Sequence, residues 1–238
     1  MLSLDPLLLA AWALVVLVPG VAVARIIQRQ GSRLALRLAG CRLTGSGLRA
    51  LEARGPFLLA SNHCSYIDVL VLLALLPLEA AFVAKKEVLG WPFLGRIARR
   101  AGHLTVDRGD TLDSLATVTK VAEGVRAGCS VLVFPEGTFT PAAGLRPFRL
   151  GVFKVAADTG TPIVPLALAG TRRVLRDGTW LPRPGPITLW AGAPVAPPSG
   201  DWRGMVALRD RVAGDIEAHC GESNLHPGAA DQEPNKPA

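Results

Sequence analysis

The chain alternates short apolar runs with longer stretches in which apolar residues recur at helical spacing. Six of the runs read as strands: FLLAS (57–61), AAFVA (80–84), LTV (104–106), SVLVF (130–134), PIVPLAL (162–168) and ITLWA (187–191). Several are continuously apolar rather than alternating, which is the pattern of a strand covered on both faces. Helical spacing occupies 66–76, 86–101, 111–127, 149–159 and 203–220, and Asp110 ahead of TLDS is placed to cap the third of these. Strand following helix in this way predicts an α/β domain over residues 41–220, with a largely parallel sheet flanked by helices.

Ahead of that domain, residues 7–24 (LLLAAWALVVLVPGVAVA) carry no charge. Their length is at the lower edge of the roughly 17–25 residues that span a bilayer as a helix. A signal peptide competes, since Ala22-Val23-Ala24 has the look of a cleavage site. No Lys or Arg precedes the run and Asp5 is acidic, so the expectation is an uncleaved, N-terminal hydrophobic membrane-anchoring helix. Arg25, Arg29, Arg33 and Arg37 follow at four-residue intervals and predict a basic stripe lying on anionic lipid, or else a solvated face, with Gly31 as a break. Residues 1–40 thus read as membrane anchor and basic juxtamembrane helix, which places the protein on the cell membrane with its domain on the cytoplasmic face. Residues 221–238 have little to bury and predict a disordered tail.

Composition adds a partner class. The net charge is +7, and the 26 basic residues are mostly arginine, the forked cation suited to phosphate. The basic residues do not group as a nucleic-acid reading module, and an apolar N-terminus fits nucleic acid poorly. No G-x-S-x-G elbow, phosphate loop or dinucleotide fingerprint occurs. Cys41, Cys64, Cys129 and Cys220 lack metal-ligand spacing and read as reduced, mostly buried thiols. No metal or cofactor is called for.

The polar word SNHCSYID (61–68) between two apolar runs carries the candidate chemistry. On a regular helix His63 and Asp68 would sit about 140° apart. A strand ending near Ser61 and a helix starting near Tyr66 would instead bring them together, with Asp68 holding one ring nitrogen of a general-base imidazole. The plainer reading is a capping histidine and an aspartate that stabilises a helix N-terminus.

Three further stretches join it: GHLTVDR (102–108), FPEGT (134–138) and TPIVPL (161–166). Together they resemble the four sequence blocks of the glycerolipid acyltransferases, the 1-acylglycerol-3-phosphate acyltransferase family. Asn62-His63 and Asp68 match the first block, Gly102 to Arg108 the second, Phe134 to Thr138 the third and Ile163-Val164-Pro165 the fourth. The resemblance covers about residues 55–170. It implies O-acyl transfer from acyl-CoA or an acyl carrier protein, as co-substrate rather than cofactor, to the hydroxyl of a membrane lysolipid. His63 would be the base and Asp68 its orienting partner. Asn62, Arg108, Glu136, Gly137 and Thr138 would form the substrate-binding side, with Arg108 on the acceptor phosphate, or paired instead with Asp107 or Asp110. Glu136 would hydrogen-bond a hydroxyl or hold an arginine, and Gly137 would let backbone approach the ligand.

One departure bears on the acceptor. Phe139-Thr140 stand where the family commonly has Arg-Ser, so Arg146 or Arg149 is needed to replace the missing cation, or the acceptor differs, as a lyso-ornithine lipid would. The mixed stretch AKKEVLGWPFLGRIARR (84–100) suits a membrane interface or the phosphates of coenzyme A. A catalytically silent, lipid-binding tether is the alternative from another class.

Overall fold

In a computed structural model of the chain, the described residues are 20–52, 55–85, 94–106, 114–138, 144–176, 178–179, 181–198 and 201–222. Helix α1 (Val21–Leu38) leads into strand β1 (Cys41–Ser46) and a 3-10 turn at Leu48–Leu51. Then follow β2 (Leu58–Ser61), α2 (Asp68–Leu75), β3 (Ala80–Lys85), α3 (Leu94–Arg100), β4 (Leu104–Val106), α4 (Leu115–Arg126) and β5 (Ser130–Val133). The chain continues through α5 (Gly151–Thr159), β6 (Ile163–Ala169), α6 (Thr171–Val174), β7 (Gly185–Ala191) and α7 (Trp202–Cys220).

Among the described residues, seven strands form one sheet in the order β1-β7-β6-β2-β5-β3-β4. Every neighbouring pair is parallel except β6 and β7. The short strand β2 lies in the middle: Leu58 pairs with Val131 of β5 on one side and Ile163 of β6 on the other. Leu58, Leu59 and Ala60 are 0% exposed, which explains why this run is apolar throughout.

Side chains alternate across the strands into two cores. Leu58, Ala60, Val131, Val133 and Ile163 meet Val121 of α4, Phe153 of α5 and Val212 of α7 on one face. Leu59, Leu132, Val164 and Leu166 meet Leu36 of α1 and Val71 and Leu72 of α2 on the other. Each fully buried Val, Leu, Ile or Phe among them contributes about 1.5–3 kcal/mol relative to exposure. The sheet therefore has helices on both faces, as the alternation of runs predicts.

Several expectations are revised. Strand β1 has no counterpart among the six predicted runs, because it is an edge strand: Cys41 and Leu43 are half-buried while Arg42, Thr44, Gly45 and Ser46 are exposed. Gly31 does not break α1, which runs through it as a single helix of 18 residues. Helix α4 is capped by Ser114, whose hydroxyl accepts from the Thr117 N–H, while Asp110 lies outside the described residues. Cys64 and Cys220 are buried, Cys41 is half-buried and Cys129 is exposed, so the thiols are free but less buried than expected. The predicted tail starts too early: Glu222 is half-buried and hydrogen-bonded, and the residues from 223 onward lie outside the described residues.

The arginine stripe has a different use from the one expected. Arg29 donates to the Leu76 carbonyl at 2.9 Å, Arg33 Nε to the Ala74 carbonyl at 2.9 Å, and Arg25 Nε to the Ala101 carbonyl at 3.0 Å. Arg25 also pairs with Glu79. Arg29 and Arg33 thus satisfy carbonyls at the C-terminal end of α2, and Arg25 satisfies one just past the end of α3, where a cation is also favoured by the helix dipole. The outward side of α1 instead shows Val23, Ile26, Leu34 and Leu38, all exposed. Most of the apolar run at 7–24 lies outside the described residues, and among the described residues no helix is long and apolar enough to cross a membrane.

Arg29→Ala is expected to lower unfolding free energy by about 1 kcal/mol, as a bond to a charged donor is lost. Urea denaturation in lipid-free buffer checks this. An unchanged midpoint would return the stripe to a lipid-facing role.

Candidate active site

The site grows from the C-terminal end of β2. Because β5 and β6 flank β2 in parallel, the segments after all three strands emerge on one edge of the sheet. This is the edge at which open parallel sheets present ligand-binding loops. The residues after β2 are Asn62-His63-Cys64-Ser65, and α2 begins at Asp68.

Asp68 is wholly buried in the first turn of α2. One of its oxygens, Oδ2, accepts three donors: His63 Nδ1 at 2.8 Å, the Cys64 N–H at 2.6 Å and the Ser65 N–H at 2.8 Å. The turn is therefore curled around a carboxylate, which is how two residues on opposite sides of an ideal helix meet. With Nδ1–H donated to Asp68, the other ring nitrogen, Nε2, carries the lone pair. The His63 ring stacks on Phe134 at 4.1 Å between centroids and 17° between planes. A buried acceptor below and an aromatic plate alongside leave the imidazole one orientation.

Glu136 ties the neighbouring turn to this one. It is 3% exposed, and its two oxygens accept the His63 N–H at 2.7 Å and the Arg146 N–H at 2.8 Å. Burial pushes its carboxyl up to about 6, with the two backbone donors opposing that shift. Gly137 has φ +79°, and a Cβ there would lie 2.8 Å from Arg149 Nε. The space beside Gly137 thus belongs to Arg149. Arg146 closes the turn from outside, donating from its guanidinium to the Thr138 carbonyl at 3.2 Å.

Asn62 faces the other flanking strand. Its amide donates to the Leu168 carbonyl at 2.9 Å and accepts from the Leu168 N–H at 2.7 Å, so it imitates one more residue of β-ladder beyond β2. Its side chain is fully buried, and a further contact from Nδ2 reaches Cys64 Sγ at 3.3 Å. The Cys64 thiol is pushed up to about 12 by burial, with the Asp68 carboxylate next in effect, so it is no nucleophile at neutral pH.

The family model described as Acyltransferase matches residues 42–169. The chain belongs to the acyltransferase family. It is 30% identical over 171 residues to a 1-acyl-sn-glycerol-3-phosphate acyltransferase of Cocos nucifera, covering 71% of this chain and 54% of that protein. It is 34% identical over 170 residues to a lyso-ornithine lipid O-acyltransferase of Pseudomonas aeruginosa, covering 71% of this chain and 65% of that protein. The chain spans about half the length of the first curated relatives it matches. Its fold is similar to that of the crystal structure of the 1-acyl-sn-glycerophosphate acyltransferase PlsC from Thermotoga maritima. That likeness has a TM-score of 0.73 at 22% identity, with 88% of this chain and 85% of that one covered.

Within this family member, the structure brings His63, Asp68, Glu136, Gly137, Thr138 and Arg149 to one edge of the sheet. Asn62 is corrected: its amide is consumed by β6, so it braces the turn rather than facing substrate. Glu136 does hold a neighbouring arginine, though through the backbone N–H of Arg146, and its other oxygen takes the His63 N–H in place of a hydroxyl. Arg108 and Phe139-Thr140 lie outside the described residues, as do residues 86–93 of the basic and aromatic stretch 84–100. Strand β4, which leads to Arg108, runs parallel to β3 and so ends on the same edge as His63. Sequence reasoning missed the stacking role of Phe134 and the backbone role of Arg146. The first had a signal, in that Phe134 ends the strand beside the histidine's own.

Glu136 should be visible in pH-dependent stability. The folded state holds its proton more tightly than the unfolded state, from an ordinary value of 4.5 to about 6. Between those values the folded form binds more protons, so stability falls as pH rises, by about 2 kcal/mol in total. Urea denaturation of wild type and Glu136→Gln from pH 4.5 to 7 checks this. The slope is expected in wild type and absent in the variant.

Proposed function

We propose that this protein is an O-acyltransferase that moves an acyl chain from a thioester, acyl-CoA or acyl carrier protein, to the hydroxyl of a lysolipid. The leading acceptor is 1-acylglycerol-3-phosphate, which would give phosphatidate. The observation that carries the proposal is the 2.8 Å contact between His63 Nδ1 and buried Asp68. It leaves Nε2 to take the hydroxyl proton as the oxygen attacks the thioester carbonyl. Asp68 then stabilises the imidazolium that forms, and the proton leaves with the departing thiolate. A thiolate is a good leaving group, so no acyl-enzyme intermediate is needed.

The cations at the Glu-Gly-Thr turn fit an acceptor headgroup. Arg146 and Arg149 flank that turn and stand in for the cation missing at Phe139-Thr140. Arg108 keeps its proposed role on the acceptor phosphate. The same missing cation favours a second reading, acylation of a phosphate-free lysolipid such as lyso-ornithine lipid. Likeness to the Pseudomonas aeruginosa relative, whose name states that substrate, supports it. An acceptor of either kind resides in lipid, and the outward apolar side of α1 suits a seat at the membrane surface. A silent tether is disfavoured, since a histidine held this firmly against a buried carboxylate has no use in passive binding.

His63→Ala is expected to lower turnover by about 10²–10⁴ with folding intact. Acyl transfer from a radiolabelled thioester to lysolipid in vesicles measures it. Lipid binding without turnover in both proteins would support the tether instead. An acceptor panel with and without a phosphate monoester should show preference for the phosphate, and that preference should weaken in Arg149→Ala. Indifference to the phosphate would favour the ornithine-type acceptor.

A further inference from the structure

We propose that the Arg172–Glu222 pair is a positioning clamp that sets the distance between the acceptor-side arginines and His63; this rests on the acyl-transfer reading. Glu222 lies outside all four sequence blocks, just past the end of α7. The helix stops at Gly221, whose φ of +68° turns the chain back toward the sheet edge. Glu222 Oε1 then accepts from Arg172 Nε at 2.7 Å, and its Oε2 accepts from the Gly144 N–H at 2.7 Å. The two side chains are 20% and 13% exposed, so these are charge-assisted bonds partly shielded from water.

Each end of the clamp reaches one side of the site. Arg172 is in α6 just after β6, and the Leu175 carbonyl at the end of that helix accepts from the Ser65 hydroxyl at 2.8 Å. Ser65 lies two residues past His63 and gives its N–H to Asp68. At the other end, Gly144 opens the segment that carries Arg146 and Arg149. That segment is held at two alternate backbone N–H groups by two different carboxylates: Gly144 by Glu222 and Arg146 by Glu136. Leu145 between them is 1% exposed and pins the segment to the core. Glu136 in turn holds the His63 N–H. The arginines and the imidazole are thus joined by two carboxylate bridges, one direct and one through Arg172, α6 and Ser65.

A brace of this kind acts on the acceptor headgroup and leaves the thioester alone. Removing it lets Gly144 and Arg146 drift, which weakens the grip on the lysolipid without changing the base. Kinetics of the full chain in vesicles, with lysophosphatidate and an acyl-CoA, are therefore read separately for each substrate. Glu222→Ala is expected to raise the KM for lysophosphatidate about tenfold, as the bonds from Arg172 and Gly144 are both lost, and to leave the KM for acyl-CoA in place. Glu222→Gln keeps an oxygen for the Gly144 N–H but turns an NH2 toward Arg172, so it is expected to restore only part of the affinity. Deuterium exchange in the peptide around Gly144 and Arg146 should rise in Glu222→Ala and not in Glu222→Gln. If Glu222→Ala does not fold, Arg172→Lys, which keeps the charge and loses the fork, reports the same split. Equal changes in both KM values, or exchange at Gly144 unaltered in a folded Glu222→Ala, would overturn the clamp. Should wild type acylate no acceptor at all, the acyl-transfer reading fails, and the exchange measurement still decides whether Glu222 holds the segment.

Discussion

One oxygen of Asp68, accepting three donors in a fully buried turn, is the constraint on which the rest of the site depends. A carboxylate out of water needs donors, and the chain supplies them from the three residues His63, Cys64 and Ser65. To do so the backbone must leave β2, curl and start α2 at Asp68 within a few residues. The imidazole orientation follows from that curl. So does the burial of Asn62, which extends the ladder to β6 and keeps the curl from peeling off the sheet.

The parallel pairing of β2 with β5 and β6 then determines what can surround the histidine. Neighbouring parallel strands end together, so Phe134 and Glu136 arrive beside His63 from β5, and Arg172 arrives from the far side of β6. Glu136 shows how the site is held. Its burial raises the cost of its charge, yet its two oxygens each hold a backbone N–H from a different loop. Two loops that carry separate functions, the base and the arginine segment, are joined through one side chain.

The strands of the central sheet were legible because burial on both faces forces an unbroken apolar run, as in Leu58–Ala60 and Val131–Val133. The His63–Asp68 meeting was legible too, since a strand-to-helix break is the simplest way to bring the two together. Edge strand β1 was not, because exposure on one side and at its end removes the apolar signature. Spacing showed that Arg25, Arg29 and Arg33 share a face, but the direction of that face depends on where α2 ends, a tertiary fact. Glu222 looked like the start of a polar tail; its partners Arg172 and Gly144 are distant in sequence, and no local pattern announces them.

Helix α1 has a mechanical meaning. Arg29 and Arg33 grip the carbonyls at one end of α2, and Asp68 forms the other end of that same short rod. At 1.5 Å per residue the rod is only about 12 Å long, and too stiff to absorb a displacement. Two guanidinium handholds thus fasten α1 to the rod whose opposite end carries the carboxylate that steers the imidazole.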